Sequence, residues 1–280
     1  MVRQTDAMRT AVVGHTEWIE FGRVDRVPGP GEIAHATDAW QEAGGGGAVA
    51  AVQLSRLTGD CDLFTAFGAD PAGTASRRRL STLGAQVHAE AGRGASTRRA
   101  VTLVDEAGER TIVTLGDRLD PLGDDPLPWD RLEDTDAVYV TAGDAAAFRQ
   151  ARRARVMVVT LRALDLLAAS GVQADCLVGS ARDPDERWDA GALANPPPLL
   201  VRTMGAEGGS FETAGDGRGR YSAEIPPGPV IDTYGAGDTF AAGLTFALGA
   251  GMDLERALTF AARCGAISVT RRGPFGARIA

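Results

Sequence analysis

The feature that most narrows the fold is a rhythm in the second half of the chain. Short apolar runs at 137–140, 156–160, 176–178 and 199–202 alternate with helix-like stretches near 145–153, 163–169 and 183–193. Runs this short and this apolar are buried on both faces, and strands separated by helices are joined by crossovers. The pattern therefore predicts an α/β fold with a parallel, doubly wound sheet. Before this block, a first strand reads at 10–13, a helix from the glycine run 44–47 to about residue 57, a strand at 63–67 and a helix at 71–83. After it come a hairpin at 209–213 and 220–225, turning at 215–219, and two closing helices at about 236–248 and 254–269.

Two polar, β-leaning stretches break the rhythm, at about 15–40 and 96–115. The second reads as a hairpin, 99–103 and 110–115, around Glu106-Ala107-Gly108-Glu109. Together they predict a small sheet lying over one edge of the main one, as lids do over active sites. With no repeat and no linker, residues 1–280 are expected to form one domain.

Composition removes several function classes. A formal net charge of −8 argues against a general nucleic-acid binder. All 29 basic residues are arginine. A Walker-type P-loop, which needs a lysine, is therefore excluded, and any cationic phosphate contact must come from Arg. Cys61, Cys176 and Cys264 are scattered and read as buried thiols in a reducing compartment, while His15, His35 and His88 lack metal-ligand spacing. No apolar run nears the roughly 20 residues of a membrane span. The polar first ten residues, with Asp6, do not resemble a leader, so a cytoplasmic location is expected, with a frayed tail of about eight residues.

The segment richest in chemistry is 231–243, which contains Gly235-Ala236-Gly237-Asp238. An apolar lead-in, a tight turn and then Phe240, Leu244 and Leu248 at helical spacing place these glycines at a helix N-terminus. There, free amides and the helix dipole attract an anion. Asp238 repels a phosphate, so two roles suit it: a charge in the first helical turn, or a base for a hydroxyl arriving beside the phosphate.

The stretch Asp232-Thr233-Tyr234-Gly235-Ala236-Gly237-Asp238-Thr239-Phe240 with Gly243 resembles the C-terminal signature of the ribokinase-like (PfkB-type) carbohydrate kinases. The glycine run 44–47, the segment Thr203-x-Gly205-Ala206-x-Gly208 and the terminal Val269-Thr270-Arg271-Arg272-Gly273 extend the resemblance over nearly the whole chain, in the same order. It implies a three-layer α/β/α fold with a mainly parallel sheet and a small β-sheet lid. It implies ATP-dependent phosphorylation of a sugar or sugar-like molecule, with ATP and Mg2+ as cofactors and a monovalent cation such as K+ as an option. By the same resemblance Asp238 is the base, and Gly235, Ala236 and Gly237 form the anion hole. Thr203, Gly205, Ala206 and Gly208 hold the nucleotide, Gly44 and Gly45 face the acceptor, and Asp232 either stands near a cation or serves as a buried structural carboxylate. Related enzymes pair through their lids, which implies a homodimer, with no membrane or nucleic-acid partner.

The resemblance breaks on the acceptor side. The family's sugar-binding Asn falls on Val49, which offers no hydrogen bond. The family's first-strand Asp falls near Ile19, with Glu17 and Glu20 close by, and a further carboxylate falls near Gly143, beside Asp144. Glu17 and Asp144 are the candidate replacements. Three such losses predict altered substrate preference rather than merely weaker binding. On the nucleotide side the Asn-x-x-Glu motif that arranges the Mg2+ waters appears as Ser180-Ala181-Arg182-Asp183, which makes Asp183 a metal candidate, and a common adenine contact appears as Ala262. His15 and Arg162 read either as site residues or as packed and solvated side chains. These departures leave a second functional reading, a catalytically weak ligand-binding or regulatory protein on the same fold. A dinucleotide oxidoreductase is disfavoured, since the run 44–47 does not follow a strand directly and lacks the Gly-x-Gly-x-x-Gly context.

Overall fold

The structure, a computed structural model, describes residues 8–91, 95–215 and 217–279. The expected frayed tail lies outside these residues, apart from Met8. In chain order the strands and helices are β1 (Thr10–Val13), β2 (Glu17–Arg23), β3 (Asp38–Gly44), α1 (Gly46–Thr58), β4 (Cys61–Phe67), α2 (Pro71–Thr82) and β5 (Ala85–Ala91). Then follow β6 (Arg99–Val104), β7 (Arg110–Leu115), β8 (Ala137–Val140), α3 (Ala145–Ala151), β9 (Val156–Thr160), α4 (Leu164–Ser170), β10 (Cys176–Ser180) and β11 (Leu199–Thr203). The chain closes with β12 (Gly209–Thr213), β13 (Arg218–Tyr221), α5 (Ala236–Gly249) and α6 (Leu254–Ser268).

Nine strands form the main sheet, in the order β13-β12-β11-β10-β9-β8-β1-β4-β5. All neighbours from β5 to β11 pair in parallel, and the β11–β12 and β12–β13 pairs at the other edge are antiparallel. Alternation along each strand makes two cores. Val12, Leu63, Tyr139 and Val158 pack towards α1, α5 and α6. Ala11, Val13, Phe64, Val138, Val140 and Val159 pack towards α3 and α4. The expected three layers follow. Helices α5 and α6 approach closely at Gly243, where a Cβ would stand 2.9 Å from Cys264 Sγ.

The lid is a separate four-stranded sheet, β3-β2-β6-β7. Its two hairpins are antiparallel, but β2 and β6 join them in parallel. The lid is bolted to the body. Gly108 O, in its hairpin turn, accepts from both Thr233 N and Thr233 Oγ1 at 3.0 Å, and Arg23 donates to Ile231 O at 2.8 Å. Phe21 stacks on Trp40 and meets Tyr234 edge-on, while Arg272 lies over Trp40.

Two expectations need correction. Residues 183–193 form no α-helix, only a 3-10 turn at Ala190–Ala192, because Asp183, Asp185 and Glu186 are drawn onto Arg162 instead of starting a helix. The glycine run does follow a strand directly, β3, but that strand belongs to the lid and not to a βαβ unit.

Candidate active site

Strand β1 lies between β4 and β8, so the chain winds outward from it in both directions. Crevices at such switch points are where open α/β sheets bind ligands. Here the C-terminal ends of β8 to β11 and the lid enclose a cavity of about 650 Å3. Thr141, Thr160, Ser180 and Thr203, each at or just past a strand end, form one wall, and Ile112 and Thr114 of β7 reach in from the lid.

Helix α5 points its N-terminus into this cavity. Gly235 caps it in the left-handed region, φ 78°, which favours glycine. The Ala236 amide is committed to Thr233 O at 3.3 Å. Of the expected anion hole, the amides of Gly235 and Gly237, and beyond it that of Asp238, have no acceptor among the described residues. A Cβ at Gly237 would touch nothing within 4 Å, so a phosphoryl group can approach the backbone there. Asp238 lines the cavity, and its Oδ1 lies so near Gly46 that a Cβ there would come within 2.9 Å. Burial pushes its carboxyl up from 3.8 to about 6. Arg110 and Arg162 act against the shift, and Glu186 and Glu17 add to it. A carboxylate so placed is ionised at neutral pH and a better proton acceptor than an ordinary Asp.

Towards the β1–β2 connection, where acceptor contacts were expected, Glu17 is buried, 3.4 Å from Arg98 Nε and 3.9 Å from His15 Nε2. Burial raises its carboxyl above the usual range, against the pull of Arg98 and Arg118. His15 also lines the cavity. Burial and the charges of Arg118, Arg98 and Arg162 push its pKa down to about 3, so the ring is neutral. Gly45 lines the cavity, but its amide donates to Tyr234 Oη at 3.1 Å. Gly44 lies outside the lining, beneath Ile19 and Tyr234, where a Cβ would collide with both. Val49 and Ile19 are fully buried, so neither offers a polar atom in place of the family's side chains.

Of the residues expected to hold nucleotide and metal, Thr203 and Asp183 line the cavity, with Ser180 beside them. Gly205, Ala206 and Gly208 form the turn beyond it, and Gly208 is a glycine because a Cβ would strike Tyr221 O at 2.1 Å. Ala262 is buried in the core and away from the lining. Arg162 bridges Asp183, Asp185 and Glu186, and Glu186 also accepts from Ser180 N. Burial holds the Glu186 carboxyl above its usual value.

Two candidates serve elsewhere. Asp144 caps α3, its Oδ1 accepting from Ala147 N and Gly123 N at 2.8 Å each, and does not face the cavity. Asp232 is 1 % exposed and acts as a strut, taking amides from Tyr234 at 2.9 Å and Gly273 at 2.8 Å. The sequence reading missed Glu186, Tyr234, Arg98, Arg110 and Arg118. The one available signal was that a lysine-free chain must meet an anion with Arg.

No described helix is long and apolar enough to cross a membrane. A family described as pfkB family carbohydrate kinase matches residues 8–185 and 161–277. An ATP-dependent ribose-1-phosphate kinase of Halopiger xanaduensis is 29% identical, over 95% of this chain and 93% of that one. Among solved structures, ribokinase from Thermotoga maritima superposes with a TM-score of 0.76 at 20% identity, covering 97% of both chains. Arabidopsis thaliana ribokinase, complexed with ribose and ATP, gives 0.75 at 21%, covering 98% of this chain and 96% of that one. The fold, the switch-point cavity and the family match agree: the chain belongs to the pfkB family of carbohydrate kinases.

Proposed function

We propose that this kinase transfers the γ-phosphoryl group of ATP to a hydroxyl of a sugar phosphate, of which ribose 1-phosphate is the leading candidate. The observation that carries the transfer is Asp238, a raised carboxyl at the mouth of a helix whose first amides are open to the same cavity. The acceptor oxygen gives its proton to Asp238 and forms a bond to the γ-phosphorus as the bridging P–O bond to ADP breaks. Gly237 and Asp238 amides take up charge on the transferred group. A pure ligand binder has no need of such a base, and family membership adds weight to the enzyme reading.

The acceptor class is argued from charge. Arg98, Arg110 and Arg118 line the acceptor end, where the hydrogen-bonding residues for a neutral sugar are replaced by Val49 and Ile19. The printed substrate of the Halopiger relative, a sugar phosphate, is the kind of anion such arginines suit.

Among the described residues, no group of three or more His, Cys, Asp or Glu is placed to hold a metal. That suits Mg2+ arriving with the nucleotide and keeping its waters, with Asp183 and Ser180 within the same cavity wall, rather than a protein cage. Asp183 and Ser180 would hold it through water, and it would supply neutralisation of the phosphate charge. Asp232, with both oxygens on backbone amides, gives no support to a K+ site. A homodimer through the lid is supported by the face of β7 turned away from the cavity, which exposes Val113 and Leu115. Sedimentation tests that, and a monomer would refute it.

The deciding assay is ADP release from Mg·ATP with free sugars, sugar phosphates and nucleosides, run beside Asp238→Asn. Turnover selective for a sugar phosphate and lost in the variant supports the proposal. Turnover with free sugars or nucleosides alone refutes the acceptor class.

A further inference from the structure

Tyr234 carries one group that the fold does not use. Its ring belongs to the core that holds Ile19, Phe21 and Val49, with Phe21 edge-on at 5.2 Å between centroids, and the residue is only 7 % exposed. Its hydroxyl stands over the start of α1. A Cβ at Gly44 would come within 2.8 Å of Oη, and Gly45 N donates to Oη at 3.1 Å. A phenol oxygen can both accept and donate. Here Gly45 takes the accepting side, and no described residue accepts the hydrogen. Burial raises the phenol above its usual range, so the hydrogen stays on at neutral pH. Glu17, whose charge reaches the phenol, is turned to Arg98 at 3.4 Å. Tyr234 lines the cavity, which leaves a ligand as the acceptor for its hydrogen. The place is close to the chemistry: Gly45 holds the phenol, and the next residue, Gly46, abuts Asp238 Oδ1. Ile19 and Val49 are fully buried and outside the lining, and the Gly45 amide is committed. Tyr234 thus offers a donor where the expected side chains and amide offer none.

We propose that Tyr234 is a specificity-determining residue: its hydroxyl donates to a non-reacting hydroxyl oxygen of the acceptor, while Asp238 takes the proton of the reacting one. This rests on the phosphotransfer reading above and deepens it. The bond from Gly45 N restricts where the phenol hydrogen can point, so the donor is already oriented before the acceptor arrives. Because the donor is a side-chain hydroxyl and not the Gly45 backbone, the acceptor stands back from the glycine run by the breadth of that hydroxyl. An acceptor without the matching oxygen leaves a buried O–H unpaired, and sites built in this way discriminate strongly against such analogues.

The test uses the full-length enzyme with Mg·ATP and ribose 1-phosphate, beside the 2-deoxy and 3-deoxy forms of that acceptor. Tyr234→Phe keeps the ring and loses only the hydroxyl. It should lower kcat/KM for ribose 1-phosphate by at least about tenfold, with the KM for ATP unmoved. The native enzyme should lose about as much with one of the two deoxy acceptors, and the variant should no longer tell that acceptor from its parent. A tyrosine that only packs would slow all three acceptors alike and leave their ratios as they were, and that result would overturn the proposal. A crystal of the native enzyme with ribose 1-phosphate decides the point even where the variant folds poorly: Tyr234 Oη should lie about 2.7 Å from a sugar oxygen. A sugar more than about 3.5 Å away from it would overturn the proposal too. If ribose 1-phosphate is turned over with an unchanged kcat/KM in Tyr234→Phe, the Tyr234 assignment fails and the proposed function stands. If a free sugar is the acceptor instead, the sugar-phosphate reading fails and the same comparison with the deoxy forms of that sugar decides Tyr234. If no acceptor is turned over, both fail.

Discussion

Replacing Asp238 by Asn removes an ionisable carboxyl while keeping its shape, and the structure sets the sign and size of the effect on stability. Its pKa is about 6 in the folded chain against an ordinary 3.8. Between those values the folded state binds more protons than the unfolded one, so the contribution of this group to stability falls as pH rises from about 4 to about 6. At about 1.36 kcal/mol per unit the wild type carries a burden of up to about 3 kcal/mol at neutral pH. Asp238 is only half-buried and faces the open cavity, and solvent screening there trims this to about 1–3 kcal/mol. Asn does not titrate and escapes the burden. Urea unfolding of both ligand-free proteins from pH 4 to pH 8 should show equal stability at the acid end. Asp238→Asn should become the more stable form above pH 6, while losing the activity that the proposed base supplies. Glu17 and Glu186 repel Asp238, so removing its charge relaxes them too, which adds to the difference in the same direction. A difference that does not vary with pH, or a variant less stable at pH 8, would refute the claim that burial strains this carboxylate.

Two further substitutions probe the surroundings. In Gly46→Ala the new Cβ would sit 2.9 Å from Asp238 Oδ1, so the base must shift; kcat should fall by at least about tenfold, with near-native unfolding and an unchanged KM for ATP. In Asp144→Ala the cap of α3 is lost and Gly123 N loses its acceptor; unfolding should cost about 1 kcal/mol while the acceptor KM stays put, and a large rise in that KM would restore Asp144 to the site.

The sequence made some features readable because single local rules decided them. The start of α5 needed only a glycine turn followed by helical spacing, and the central strands needed only short apolar runs. What escaped depended on distant parts of the chain. Strand β5, Ala-Gln-Val-His-Ala-Glu-Ala, is rich in helix formers and becomes a strand by pairing with β4 along its whole length. The acidic run at 183–186 looked like a helix start until Arg162, some twenty residues earlier, claimed it. Tyr234 stands within the recognised signature, yet its role appears only when Gly45, 189 residues away in sequence, donates to its hydroxyl. Arg98, Arg110 and Arg118 sit among polar strand residues that read as solvated, and only the placement of the lid turns them inward. The capping role of Asp144 was legible in principle, since an Asp directly precedes a run of helix-forming alanines.

The parallel pairing of β2 with β6 has a consequence for how such an enzyme can be changed. The two strands are separated in sequence by β3, α1, β4, α2 and β5, most of which belong to the body. The lid is therefore not a cassette. No single cut and splice removes it, and a graft from a relative must bring two separate stretches and keep their register, with Trp18 opposite Arg99 and Phe21 opposite Thr102. In such an architecture the direct route to a new acceptor is to exchange single side chains on the roof and leave the roof itself in place.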